Sequence, residues 1–390
     1  MSILKKNGAR FLDFITFLST IRGDLASITA PPYFLAPLSV VEVGSCWTES
    51  PSLFVAPAQE PDAQKRALLI LRWFLHSLRS QFYIGVDSDA GMRKPLNAFL
   101  GELFLAQWTD EVSTTHIVTE QVSHHPPVTA CYMYDDVYGI RGEGYTRVEM
   151  SFSRSLKVKQ TGYAIIHLDK YDEDYLIPFP DCQVKGFLSG KLYPELGGTV
   201  HLTSSSGYVS EISFSGEGMF SGTKNTFQAT IYHKGDDRKH AIYTAKGQWS
   251  DTFTIQDARN GDVVETCSLK KSVAAPLHLP DTAEQDSWET RKAWEDTYDA
   301  LAKNDFQGIV RAKSKLENAQ RAMREREIAE NRRWEPKFFS NADEDPLFEE
   351  LASGLNLKLQ PDRTKGVWKF DRKKAGLAVR PFHGELTPLG

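Results

Sequence analysis

Cysteine is scarce in this chain: four in 390 residues, at positions 46, 131, 182 and 267, with no CxxC pair among them. That spacing fits neither a zinc site nor a disulfide framework, and it suits a reducing compartment where isolated thiols act as small buried hydrophobes. Long apolar runs are also missing; none approaches the ~20 residues that span a bilayer as a helix. A basic pair, Lys5-Lys6, stands near the start, but Phe11 to Leu18 is interrupted by Asp13 and Thr16. No small-residue cleavage site follows, which argues against a secretory signal and for a cytoplasmic protein. Positive charge is not in excess: the net of −5 gives no global field for nucleic acid, so any attraction to an anionic surface must be local. Internal repeats, low-complexity tracts and GxSxG-type nucleophile motifs are absent.

What is there is the composition of a globular protein with a sizeable core: 41% hydrophobic, 11% aromatic and 25% charged residues. Residues 9–22 place Phe11, Phe14, Ile15, Leu18 and Ile21 on one helical stripe, which Gly23-Asp24 stops and Pro31-Pro32 keeps from resuming. Residues 62–84 read as a second, longer helix with Leu68, Leu71, Leu75, Leu78 and Phe82 on one face. From about 98 to 272 the period changes. Runs such as THIVTEQVSHH, VTACYMY, GYAIIHL and TFQATIYH are β-branched and aromatic, and Gly, Asn or Asp punctuate them. With no helical pattern between them these strands should pair antiparallel, and so long a series avoids open edges by curling into a barrel. A barrel of more than about ten strands is wide enough to need a filling, a plug or a ligand. Residues 284–335 are dominated by charge, with apolar anchors at Trp288, Trp294, Leu301 and Ile309; they predict two helices broken near Asn304-Asp305 or Gly308. The last 55 residues are polar with scattered aromatics and predict a surface wrap.

Residues 120–127 read EQVSHHPP: a strand end, two adjacent histidines, and two prolines that forbid further ladder bonding. Taken alone, the pair reads as solvent-exposed imidazoles at a strand terminus. A metal reading is weaker, because strand neighbours point to opposite faces and no third ligand is evident. Lys313, Glu317 and Arg321 are spaced by four, so on a helix they share a face; the plain reading of that stripe is a solvated surface.

The eight-residue string nonetheless resembles the signature of the oxysterol-binding-protein family. Three further segments agree in order. KPLNAFLGE (94–102) looks like that family's Lys-Pro-x-Asn-Pro-x-x-Gly-Glu segment, with Ala98 in place of the second proline. GDLASITAPPYFLAP (23–37) resembles the junction after its N-terminal lid, and KSKLENAQR contains its Lys-x-x-x-Glu-x-x-x-Arg pattern. The similarity is closest to short fungal members that consist of the lipid-binding part alone. It implies an α+β, β-dominated fold: a large antiparallel, near-closed β-barrel enclosing a lipid tunnel. It also implies a single domain over 1–390, divided into a lid (1–30), an N-terminal helical part (31–97), the barrel (98–272) and a charged helical C-terminal region with its wrap (284–390).

The resemblance further implies a transporter of sterol and phosphatidylinositol 4-phosphate, not an enzyme, needing no cofactor and no metal. Lys94, Asn97, His124, His125, Lys313, Glu317 and Arg321 would bind the phosphoinositide headgroup. Glu317 would organise the cations, and each charge-assisted bond would contribute about 1.5–3 kcal/mol. Trp47, Gln81, Phe82, Leu96, Thr146 and Gln160 would meet the sterol, and Phe14, Leu18, Ile21 and Leu25 would form the lid, hinged at Gly23. Phe82 stands where sterol-binding relatives carry tyrosine, and Thr146 where they carry asparagine, so phosphatidylserine stays open as the second ligand. Transient contact with Golgi or endoplasmic-reticulum membranes, a monomeric state and no nucleic-acid partner complete the expectation. A lipid sensor and a hydrolase using His124 or His125 as base are the competing functions; no nucleophile supports the second. FFSNADED (338–345) faintly resembles an acidic tether-binding tract, although ordinary domain sequence explains it as well.

Overall fold

The computed structural model describes residues 16, 24–25, 30–84, 92–153, 155–187, 192–216, 222–236 and 240–390. Helix α1 (Pro51–Gln59) precedes α2 (Ala63–Phe82). Asp62 starts α2 by accepting the Gln64 N–H at 2.8 Å, and the predicted stripe Leu68, Leu71, Leu75, Leu78 and Phe82 is buried, joined by Trp73 and Phe74. The same helix buries Arg66 in an ion pair with Glu173, and the Tyr171 ring lies 3.9 Å from its guanidinium carbon. A desolvated guanidinium needs such a partner, so this pair ties α2 to the sheet at one register.

The segment before residue 98 is not purely helical. Strands β1 (Leu35–Ser39) and β2 (Lys94–Leu96) pair in parallel, and a 3-10 turn over Val40–Trp47 leads into the helices. The large sheet then runs through β3 (Leu103–Thr109), β4 (Thr114–His124), β5 (Pro127–Asp135), β6 (Ile140–Phe152) and β7 (Leu156–Leu168). It continues with β8 (Glu173–Pro178), β9 (Asp181–Lys185), β10 (Tyr193–Ser204), β11 (Tyr208–Ser215) and β12 (Thr226–His233). Strands β13 (Tyr243–Gln248), β14 (Thr252–Asp257), β15 (Val263–Ser268) and β16 (Leu277–His278) complete its 14 strands. All its pairings are antiparallel, as a meander without intervening helices requires. The strand order ends at β15 on one side and β16 on the other, so the sheet curls without a ladder joining its ends among the described residues.

The charged C-terminal region is helical as expected: α3 (Thr290–Ala293), α4 (Glu295–Ala302) and α5 (Phe306–Ala329). The break falls at the predicted place, where Asn304 takes φ 53° and Asp305 accepts the Gly308 N–H at 2.9 Å. The last 55 residues are more than a wrap. They form β17 (Phe339–Ala342), α6 (Pro346–Leu351), α7 (Pro361–Thr364), β18 (Val367–Phe370) and α8 (Arg372–Leu377). Phe339, Phe348, Leu351, Val367 and Trp368 enter a core cluster with Trp288, Trp294 and strand residues of β4 to β8. A second cluster lies between α1, α2 and the sheet. Phe338 and Phe339 are buried, which fits ordinary domain sequence and not a tether-binding tract. All four cysteines are unpaired; Cys131 is half-buried and the other three are buried.

Candidate functional site

A cavity of about 1450 Å³ runs from the curled sheet to the C-terminal helices. Its walls are apolar: Trp47 and Phe82 from the helical side, Val148, Val158 and Ala164 from the strands. The Trp47 carbonyl accepts the Trp73 indole N–H at 3.0 Å, and its ring packs on Trp73 and Phe74. The end of α2 sets Gln81 and Phe82: Arg79 donates to the Ser250 carbonyl at 2.7 Å, and the Tyr83 hydroxyl accepts from Asn225 at 2.9 Å. Two buried polar atoms at this wall, Gln81 Oε1 and Thr146 Oγ1, have no hydrogen-bond partner among the described residues. Gln160 lines the cavity while its Nε2 donates to the Pro180 carbonyl at 2.9 Å.

The mouth is polar. Lys94, Asn97, His124, His125, Glu317 and Arg321 all line it, although they come from β2 and the residue after it, the end of β4 and its turn, and α5. Strand β4 ends at His124, so the opposite-face rule for strand neighbours does not reach His125, and both imidazoles line one cavity with ring centroids 4.5 Å apart. His124 Nδ1 bonds the Ala98 carbonyl at 3.1 Å. Burial first, and His125 second, hold the His124 imidazole below its ordinary pKa. Lys94 bonds Asn97; burial, reinforced by the Lys313 ammonium and opposed by Glu317, pulls Lys94 down to about 7. Lys313 itself is buried and ion-paired with Glu317, and it backs the mouth instead of lining it. Arg321 is exposed and donates to Asn318 at 3.2 Å, so the organising contact of Glu317 is with Lys313 and not with Arg321.

Leu96 departs from expectation. It is fully buried in the cluster with Phe34, Leu35 and Val128 and does not line the cavity, its side chain being spent on packing. Leu25 is buried, its N–H donating to the Met150 carbonyl at 2.7 Å beside the cavity wall. Phe14, Leu18, Ile21 and Gly23 lie outside the described residues.

Two carboxylates explain why the motifs carry acids at all. Glu120, fully buried, accepts the Lys337 and Phe338 backbone N–H groups at 2.7 and 2.8 Å, and burial pushes it up to about 7. Glu102 accepts the Phe99 N–H at 3.1 Å and the Thr290 hydroxyl at 2.6 Å. Each pins a distant segment against the mouth. Arg324, one turn beyond Arg321, also lines the cavity, with its guanidinium 5.0 Å from the Trp334 ring. The four-residue spacing stops short of it, and only continuing the stripe by three would have found it.

A family model described as oxysterol-binding protein matches residues 13–307. Over 374 residues the chain is 49% identical to the probable transporter efuK of Hormonema carpetanum, covering 95% of this chain and 54% of that one. The chain therefore spans about half the length of that relative. It is 35% identical over 367 residues to protein kes1 of Schizosaccharomyces pombe, covering 93% of each. Among solved structures it resembles the Saccharomyces cerevisiae Osh3 ORD in complex with PI(4)P, with TM-score 0.70 and 19% identity over 100% of this chain and 95% of that one. The Osh1 ORD domain in complex with ergosterol gives TM-score 0.69 and 19% identity over 92% and 86%. At that identity the likeness shows the fold.

Proposed function

The chain belongs to the oxysterol-binding protein family, and on that premise we propose that it carries lipids between membranes one molecule at a time. Sterol and phosphatidylinositol 4-phosphate exchange in a single cavity. The observation that carries this reading is the union of a large apolar cavity with a mouth of cations and imidazoles. At about 1450 Å³ it exceeds the ~300–1,000 Å³ of a drug-sized site, as acyl chains or sterol rings need. Burying ~400–500 Å² of ligand apolar surface offers about 10–12 kcal/mol before binding costs. Gln81 and Thr146 supply buried polar atoms for a hydroxyl. Lys94, Asn97, His124, His125 and Arg321 face the headgroup phosphates, with Glu317 beside them holding Lys313, which sets the field from behind. Residues 1–22 act as the lid, and the carrier works as a monomer that visits Golgi or endoplasmic-reticulum faces from the cytosol.

Competition tests the proposal. With one cavity, sterol should raise the apparent Kd for the phosphoinositide in proportion to its concentration, without a plateau. A plateau would mean two coupled sites. Phosphoinositide in the acceptor membrane should also accelerate sterol delivery. Phosphatidylserine competing in place of sterol is the second reading, favoured by Phe82, which offers no hydroxyl at the apolar wall. If neither lipid competes, the exchanger fails and a sensor remains.

A further inference from the structure

One group of polar atoms in the cavity stands outside the phosphate cluster. Arg324 and Trp334 both line the cavity, with the guanidinium carbon 5.0 Å from the indole ring. All three guanidinium nitrogens of Arg324 and the indole Nε1 of Trp334 are buried, and none makes a hydrogen bond among the described residues. Nη2 has an ion pair, 3.0 Å from Glu327 Oε1, and the other nitrogens have none there. Buried donors without acceptors are rare in native proteins and cost most when charged, so a cluster of them calls for an acceptor that the protein does not supply. The donors are also fixed in place. The Trp334 ring stacks on Trp288 and His383 at 4.8 and 4.6 Å, and it lies so close over Gly101 that any Cβ there would clash with it.

Placement indicates what the acceptor belongs to. Gln81, with its own buried and unpartnered oxygen, precedes Phe82 in the core cluster of α1 and α2. Arg324 follows Met323, which with Trp334 belongs to the other cluster, that of the C-terminal helices. A polycycle whose hydroxyl meets Gln81 and whose length reaches those helices would end in hydrocarbon against unmet N–H groups. A carboxylate at that end meets them instead. Phosphate fits less well: Glu327 also lines the cavity and offsets much of the Arg324 charge, leaving a planar fork of donors with little net field. Such a fork matches a planar monoanion, whereas a dianionic phosphate is better served by Lys94, His125 and Arg321. Arg332, Arg333 and Glu335 line the mouth as well, but they are exposed. We propose that Arg324 and Trp334 form a carboxylate subsite, and that the cavity takes an acidic polycyclic lipid with a hydroxyl at one end and a carboxylate at the other. The inference rests on the lipid-carrier reading and names a cargo class within it.

The test is titration of the full chain at neutral pH with hydroxycholenoic acid and with its methyl ester, followed by tryptophan fluorescence. The two probes share every ring and differ in the charge. Wild type should bind the acid about tenfold or more tighter than the ester. Arg324→Gln should bring that ratio near one. Arg324→Lys, which keeps the charge and loses the fork, should lower it, as should Trp334→Phe, which removes one donor and keeps a ring. The ester arm reports whether each variant retains its cavity, and the wild-type ratio decides even where a variant does not fold. A ratio near one in wild type, or one that survives Arg324→Gln, overturns the proposal. So does a loss of phosphatidylinositol 4-phosphate extraction in Arg324→Gln as large as the loss of acid affinity, which would assign Arg324 to the phosphate cluster. Cholesterol transfer between vesicles, measured in parallel, separates the two readings. Transfer without acid preference refutes the subsite alone, and acid preference without transfer refutes the carrier and leaves the subsite standing.

Discussion

Raising the pH should switch off phosphoinositide uptake through Lys94. Burial and the neighbouring Lys313 ammonium hold this lysine at about 7, so at neutral pH the free protein has it only half charged. A phosphate arriving beside it favours the ammonium and raises its pKa, so binding takes up a proton. The sign follows: affinity is full below 7 and is lost as pH rises through and above 7. If only the charged form binds, its fraction falls from about three quarters at pH 6.5 to about 3% at pH 8.5, a loss of about twenty-fivefold. The window starts at 6.5 because the phosphomonoester itself loses charge near its second pKa of about 6. Burial first, and His125 second, hold the His124 imidazole below its ordinary pKa. The assay is extraction of labelled phosphatidylinositol 4-phosphate from liposomes across this range at constant ionic strength, with sterol uptake as the pH-independent control. Lys94→Arg stays charged and should flatten the profile. A flat wild-type profile, or the same slope in Lys94→Arg, refutes the reasoning.

Three further outcomes follow from the same geometry. His124→Ala with His125→Ala should abolish phosphoinositide extraction and leave sterol binding intact; equal loss of both ligands in a folded protein would remove the histidines from the headgroup site. Glu317→Ala should weaken phosphoinositide uptake about tenfold, or about 1.4 kcal/mol, although it removes a negative charge from an anion site, because Lys313 loses its partner. Tighter binding by titration would contradict that role. Glu120→Ala should cost about 2–4 kcal/mol in denaturant unfolding by stranding one buried and one half-buried amide, with Glu120→Gln costing less; a loss below about 1 kcal/mol would show the anchor to be dispensable.

The strand series was legible because alternating β-branched residues declare a pleated surface, and the α2 stripe because five apolar residues recur at helical spacing. Strands such as Tyr208–Ser215 were not, since Ser210 and Glu211 stand side by side between Val209 and Ile212 and break the alternation. The C-terminal segment misled for a different reason. Its buried Phe339, Phe348 and Trp368 sit on elements of four to six residues, too short for any period to show. At the site, the spacing of Glu317 and Arg321 alone read as a solvated stripe and the family resemblance singled them out, while Leu96 was misplaced because a buried leucine beside a motif lysine can face a cavity or a core equally well. The work of Glu120 and Glu102 was invisible: their partners are backbone amides and a hydroxyl about 200 residues away, in Lys337, Phe338 and Thr290. Long-range pairing of that kind leaves no local trace.

The pin from Glu120 to residues 337 and 338 also has a meaning in the order of synthesis. The sheet and its apolar cavity are built from residues that leave the ribosome early, but Glu317, Arg321 and the connector held by Glu120 all follow residue 307. At ~5–20 residues per second the remaining stretch takes on the order of 4–16 s. Through that interval the nascent chain presents a lipid-sized greasy hollow whose polar mouth lacks its α5 side, with an unfilled acid on its rim. The emerging polypeptide is thus exposed to loading, or to sticking, before it can discriminate. Slowing translation after the last long strand should raise the share of chains that aggregate or emerge already carrying a lipid.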